Sequence, residues 1–239
     1  PLEFRLRNAI RKGDSTATGQ VIEASAGLAE CLEALVRHWG PARHEAEIHN
    51  ASNGALRRGV GIGCMWYGCG NTAMPNPSTM HMKLARNGSV TVFSGAVDMG
   101  QGPATTILQM AADGLGIEMA RLRLVSGDTD LTADAGKSSA SRQCYVSGNA
   151  VKRAGEDLRG QILRLANVGE DAAIAFHDGK LVVREDDAVR EIDLTVLPES
   201  EDGFVLVGEG TFDPPTTPPE NARGTGAPYA TYAFAAQIA

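Results

Sequence analysis

The sequence predicts an α+β fold in which helices pack on a mixed β-sheet. Three observations predict it. An Asn87-Gly88 dipeptide separates two strand-like runs, a strand, a glycine turn and a helix follow one another around residue 100, and an apolar stripe at helical spacing runs on from Ser141. With 239 residues, 43% hydrophobic and 21% charged, the chain is globular in composition and long enough for one large core or two modest ones. A formal net charge of -7 leaves no broad basic field, which excludes nucleic acid and anionic membrane surfaces as expected partners.

The elements can be justified in order. After a basic opening, GLAECLEALVRHWGPARHEAEIHNAS places Leu28, Leu32, Leu35 and Val36 at helical spacing, giving one amphipathic helix or a pair divided at Pro41. Residues 59–70, GVGIGCMWYGCG, are expected to form a glycine-rich strand, and NTAMPNPST an exposed loop. His81 to Ala85 and Ser89 to Val97 make a hairpin, because Asn-Gly favours the positive φ angles of a tight turn. Then DMGQGPATTILQMAADGLGI switches to helical period. Pro103 suits its first turn and Gly114 or Gly116 its end, so a helix is expected from about Pro103 to Leu115.

Arg121 to Val125 alternates as a short strand, and GDTDLTADAGKSSAS is a polar loop. A longer helix follows, from about Ser141 to Asn167, with Val146, Ala150, Ala154, Leu158, Ile162 and Leu165 on one face. Residues 174–183 form a hairpin about Asp178-Gly179, and DPPTTPPENARGTGAP is a Pro-rich connector before the strand-like YATYAFAAQIA. A soft internal boundary falls near residues 168–190. The chain opens on Pro1 and stops at Ala239 within a strand-like run, so both ends look cut.

Two segments carry the chemistry. Met99-Gly100-Gln101-Gly102 lies where a strand passes into a helix. Glycines let a backbone approach a ligand closely there, and a helix N-terminus favours an anion. A tight turn that needs glycine for its conformation alone is the competing reading. The dinucleotide fingerprint GxGxxG fails, since Thr105 stands at its third glycine. The second segment, Ala135-Gly136-Lys137-Ser138-Ser139-Ala140-Ser141-Arg142, sets hydroxyls before the longer helix. Its competing reading is plain N-capping by Ser139 or Ser141. A P-loop would need glycine at position 131, which is Leu131.

His38, His44, His49, His81 and His177 show no convincing metal spacing. Cys31, Cys64, Cys69 and Cys144 make no CxxC pair and are expected as reduced thiols, with Cys64 and Cys69 as small packing residues. No apolar run reaches the roughly 20 residues of a membrane span, and PLEFRLRNAIRKGD lacks a signal peptide's apolar core. A cytoplasmic protein is expected.

Taken in order, PLEFRLRNAIRKGDSTATGQ, RRGVGIG, GSVTVFSGAVDMGQGPATTILQMAADGLGI, DTDLTADAGKSSASRQCYVSGNAVKRA and YATYAFAAQIA resemble the molybdopterin-binding (large) subunit of the xanthine dehydrogenase/aldehyde oxidoreductase family. The resemblance covers nearly the whole chain and reads as an interior fragment, a partial molybdopterin-binding domain over residues 1–239. It implies a subunit that holds molybdenum on a molybdopterin, in the cytosine dinucleotide form. Such an enzyme hydroxylates an aldehyde or N-heterocycle with oxygen from water, uses a glutamate base and passes electrons to iron–sulfur clusters on another domain or subunit. By resemblance, Gly100, Gln101 and Gly102 line the pterin and its phosphate, and Ser138, Ser139, Ala140 and Ser141 approach the cofactor from the second helix.

Departures accompany the matches. The family's base sits in a VGExP-like motif, whereas this chain offers only Val207-Gly208-Glu209-Gly210, without the proline. Glu209 is taken as a coincidence, no catalytic residue and no metal ligand is assigned, and the isolated chain is expected to be inactive and free of molybdenum. The expected partners are the remaining subunit segments, an iron–sulfur domain or subunit and a small-molecule substrate. The alternative is a cofactor-free binding or scaffold module that uses the same loops. A nicotinamide-dependent dehydrogenase is disfavoured, because no acidic residue closes a strand about 20 residues beyond Gly102.

Overall fold

The computed structural model describes residues 1–239 apart from 18, 20, 24, 53, 71–74, 178 and 216–230. In chain order its elements are α1 (Leu2–Asn8), α2 (Leu28–Ala51), β1 (Ile62–Cys69), β2 (Ser78–Leu84), β3 (Val90–Ser94), α3 (Pro103–Leu115), β4 (Leu122–Ser126), α4 (Val146–Ala166), β5 (Ala173–His177), β6 (Lys180–Glu185), β7 (Ala188–Asp193), β8 (Leu206–Phe212) and β9 (Thr231–Ile238). Single 3-10 turns lie at Met119–Arg121 and Leu194–Val196. The chain forms two compact units, residues 1–74 with 216–239, and residues 75–215. Among the described residues no helix is long and apolar enough to cross a membrane.

In the first unit, α2 is one continuous helix that runs through Pro41. Proline removes one backbone donor, and at this exposed position water can take the freed carbonyl. Leu32 is fully buried and joins Leu2, Ala9, Ala29 and Ile62 in a small core, while Val36, assigned to the same face, stays half exposed. The strand-like runs at 59–70 and in YATYAFAAQIA find each other. β1 and β9 pair antiparallel from Ile62 opposite Ile238 to Cys69 opposite Thr231, and Trp66 stacks on Phe234 at 6.2 Å. Cys64 is exposed, so it is not the packing residue its apolar surroundings suggest. The side chain of Cys69 lies outside the description.

The second unit holds the larger core. Its four-stranded sheet has the order β4-β3-β2-β8, parallel between β3 and β4 and antiparallel elsewhere, which makes it mixed. The β2–β3 hairpin turns at Asn87-Gly88 as the dipeptide requires, with Gly88 at φ 81°. Parallel strands need a crossover, and α3 supplies it between β3 and β4. Pro103 opens α3, and Gly116 ends it in the left-handed conformation at φ 79°. A three-stranded meander, β5-β6-β7, contributes Ile174, Phe176, Leu181 and Val183 to the same core. The stretch 168–190 therefore lies inside this unit. Asp178, expected with Gly179 to turn the hairpin, is outside the described residues, as are residues 216–228 of the Pro-rich connector.

Helix α4 crosses this core with Val146, Ala150, Ala154, Leu158 and Ile162 all buried, whereas Leu165 is half exposed. Its backbone comes close to two neighbours. A Cβ on Gly208 would lie 2.2 Å from the Ala154 carbonyl oxygen, and one on Gly210 would lie 2.1 Å from that of Ala150. On the α3 side, a Cβ on Gly114 would meet the Lys152 carbonyl at 2.4 Å. Side chains at these positions would force the elements apart, so glycine lets sheet and helices close to backbone distance. The Val207-Gly208-Glu209-Gly210 run thus has a packing role in β8, while Glu209 faces away, 64% exposed, and pairs with His81 at 3.1 Å.

Candidate functional site

The two loops singled out in the sequence meet in the second unit. The Val97 amide donates to Ser138 Oγ at 3.3 Å, which joins the turn before α3 to the hydroxyl-rich loop 41 residues later. Gly100, Gln101 and Gly102 occupy the first loop, and Ser138, Ser139, Ala140 and Ser141 the second. All seven are exposed or half-buried.

The first loop is closed on itself. Asp98 Oδ1 accepts from the Gly100 amide at 2.8 Å and the Gly102 amide at 3.3 Å. The Gly100 amide foremost holds the Asp98 carboxyl below the usual aspartate range, against an opposing effect of burial that ranks next, and the Gly102 and Ala104 amides add to the lowering. Gln101 completes the closure. Its Oε1 accepts from the Met99 amide at 2.6 Å and its Nε2 donates to the Val97 carbonyl at 3.1 Å. The anion expected at the N-terminus of α3 is thus supplied by the chain itself. The physical reason is proximity, since a tethered carboxylate two residues away outcompetes a dissolved one.

The second loop does not open α4. The helix begins at Val146 with Tyr145 as N-cap and no side-chain cap, so the expected start at Ser141 and the capping roles of Ser139 and Ser141 are both corrected. Residues Ala140 and Ser141 have φ of 56° and 52°, left-handed values that non-glycine residues adopt at a cost of about 1–2 kcal/mol each. A buried cation holds them. Arg142 is fully buried, and its guanidinium donates to the carbonyls of Ala135 at 2.7 Å, Lys137 at 3.0 Å, Asn76 at 2.6 Å and Pro77 at 3.2 Å. These bonds pull residue 142 inward and turn the preceding residues off the helix axis.

Donors remain on this loop. Among the described residues, the amides of Ser139, Ala140 and Ser141 make no hydrogen bond within the chain. Beneath Gly136, the buried Asn76 leaves its Nδ2 without an acceptor. Gln143, 7% exposed, donates from Nε2 to Ser138 Oγ at 3.1 Å and to the Lys137 carbonyl at 3.2 Å, and accepts at Oε1 from the Ser147 hydroxyl. No group of three or more His, Cys, Asp or Glu able to hold a metal ion occurs among the described residues.

Sequence reasoning missed Asp98, Asn76, Arg142 and Gln143. One signal was there. Both loops open on Asp-x-Gly, at Asp98-Met99-Gly100 and Asp134-Ala135-Gly136, and in both the carboxylate accepts from the glycine amide two residues on, at 2.8 Å and 2.7 Å.

Comparison with known proteins agrees with this architecture. Residues 34–239 match the family described as molybdopterin cofactor-binding domain. The chain is 33% identical over 237 residues to a xanthine dehydrogenase molybdenum-binding subunit of Escherichia coli, covering 92% of this chain and 30% of that protein. It is 32% identical over 161 residues to an aldehyde oxidoreductase of Megalodesulfovibrio gigas, 66% of this chain and 17% of the relative. Among solved structures, the aldehyde oxidoreductase of Desulfovibrio desulfuricans superposes with a TM-score of 0.69 at 26% identity, over 100% of this chain and 23% of that one. The chain thus spans about a third or less of the length of these relatives. By this match over most of its length, the chain belongs to the molybdopterin cofactor-binding domain family, of the xanthine dehydrogenase and aldehyde oxidoreductase type.

Proposed function

We propose that this chain supplies part of the molybdopterin cradle of a molybdenum-dependent hydroxylase, one that oxidises an aldehyde or an N-heterocycle with water as the oxygen source. The observation that carries the reading is the Val97 to Ser138 bond, which unites two loops far apart in sequence into one surface. The residues present fit such a cofactor. The Ser139, Ala140 and Ser141 amides and the Ser138 hydroxyl can donate to pterin and phosphate oxygens. The Gly100-Gln101-Gly102 turn, whose amides Asp98 already engages, contributes a close-approaching surface without an added positive end.

When bound, the cofactor supplies the redox centre of the hydroxylation. This chain's residues bind and orient it, and the base that moves the substrate proton belongs to other segments of the enzyme. The cytosine dinucleotide form, an iron–sulfur domain or subunit as electron partner, the remaining subunit segments and a cytoplasmic setting complete the proposal. Alone, the 239 residues are expected to turn over neither aldehyde nor purine.

The test is metal and pterin content. In the molybdenum enzyme that carries this chain, Gly102→Val should lower both severalfold, because Gly102 sits at φ 79°, a conformation that a β-branched residue resists. Normal loading of that variant would favour the alternative, a cofactor-free module in which both loops are only structural.

A further inference from the structure

We infer that buried Gln143 fixes Ser138 as a hydrogen-bond donor facing outward, so that the loop selects an acceptor oxygen, a phosphate or carbonyl of the cofactor, and refuses a donor there. This rests on the cofactor-binding role proposed for the loop. The deduction starts from one carbonyl. Lys137 O can only accept, so the end of the Gln143 amide that faces it at 3.2 Å must be the NH2 group. The opposite end, Oε1, then faces the Ser147 hydroxyl, which must donate to it. Ser147 has one proton, so its 2.9 Å bond to Ser78 runs from the Ser78 hydroxyl to Ser147 Oγ. The three members behind Ser138 are buried, with Ser78 at 1%, Ser147 at 0% and Gln143 at 7% exposure, so water does not scramble their direction.

The relay ends at Ser138. Its oxygen accepts from Gln143 Nε2 at 3.1 Å and from the Val97 amide at 3.3 Å. A hydroxyl has two acceptor sites and one proton. Both acceptor sites are taken from within the fold, so the proton is left to point at whatever the loop binds. Gln143 is therefore a positioning residue. It touches no ligand and acts by consuming the lone pairs of one that does.

Binding of purified molybdopterin to the cofactor-free form of the enzyme that carries this chain, followed by pterin fluorescence, tests this with four variants. Ser138→Ala should weaken binding about tenfold, the worth of one charge-assisted hydrogen bond. Ser138→Thr, which keeps the hydroxyl, should restore most of it. Gln143→Glu keeps the shape but cannot donate, so Ser138 turns its proton inward and the same roughly tenfold loss follows. The Ser138→Ala/Gln143→Glu double variant should bind no worse than Ser138→Ala, because both changes remove one donor.

Losses that multiply, or Gln143→Glu binding as well as the parent, overturn the inference. If the buried carboxylate prevents folding, Gln143→Met, which removes the donor without putting a strong acceptor in its place, should show a smaller loss, and a loss that multiplies with that of Ser138→Ala overturns the inference. A cofactor-free parent enzyme that binds no molybdopterin refutes the functional proposal instead. In that event the Val97 amide still decides the relay, since its hydrogen exchange should speed up in Ser138→Ala, and unchanged exchange overturns the assigned bond.

Discussion

Replacing Gly210 by alanine puts a methyl group 2.1 Å from the Ala150 carbonyl oxygen and 2.4 Å from the Ala154 nitrogen. An ordinary carbon contact needs at least 3.4 Å, so β8 and α4 would have to part by 1.3 Å along that line. Both neighbours are backbone, and no flexible side chain can yield instead. Overpacking of this kind costs about 1–3 kcal/mol, and the absence of a yielding atom puts this site at the upper end. Alanine's smaller unfolded-state entropy offsets about 0.4–1 kcal/mol, which leaves a net loss of about 2 kcal/mol. At roughly 2–4 °C per kcal/mol for a chain of this size, thermal melting should fall by about 4–8 °C. Glu209→Ala, one residue away on the exposed face, is the control and should change stability by less than about 1 kcal/mol. Melting of both variants by circular dichroism decides the matter. A Gly210→Ala protein as stable as its parent, or a Glu209→Ala protein equally damaged, would refute close backbone packing as the reason for the two glycines.

Arg142→Met should be more destructive than Gly210→Ala, since it strands several buried carbonyls, and should cost about 3 kcal/mol or more in denaturant titration. Limited proteolysis of that variant should cut first between residues 134 and 143. The Asp98 carboxyl, held low by the Gly100, Gly102 and Ala104 amides, should titrate below the ordinary value of about 3.9 in a carbon-detected NMR series. Its contribution to stability is then fully present above the unfolded pKa and lost as pH falls through the lower folded one, and Asp98→Asn should remove that acid-side dependence. Lys152, raised chiefly by its hydrogen bond to Asp113, has the opposite sign. Its contribution is present at neutral pH and is lost only at alkaline pH, as the folded pKa is passed, so a Lys152→Met melt should differ from its parent least at high pH.

How much of this was legible in the sequence depended on whether the controlling contact was local. Helix α3 was bounded well because Pro103 and Gly116 act on their own backbone, and the β2–β3 hairpin followed from Asn87-Gly88 for the same reason. The start of α4 was misjudged by five residues, because Ser138 to Ser141 favour a helix start only until Arg142 is drawn to the Asn76 and Pro77 carbonyls, 66 and 65 residues away. No local pattern announces that pull. Gly208 and Gly210 read as no more than a chance likeness to a functional motif, because the helix backbone at Ala150 and Ala154 that requires them lies more than 50 positions earlier in the chain. The meeting of the two candidate loops, by contrast, was anticipated from the family resemblance, although the Asp98 cap that changes their electrostatics was not.

The pairing of β1 with β9 also governs the order in which the polypeptide can mature. Ile62 and Ile238 face each other across 176 positions of sequence, and the entire second unit is inserted between them. During synthesis residues 75–215 can collapse on their own core as soon as β8 has emerged, whereas the first unit must wait for its closing strand. Throughout that interval β1 offers Met65, Trp66 and Tyr67 on an unpaired strand, still 40–47% exposed even after pairing. Contacts of such long sequence separation form slowly, so the waiting strand is where chaperone capture or aggregation of the nascent protein should begin.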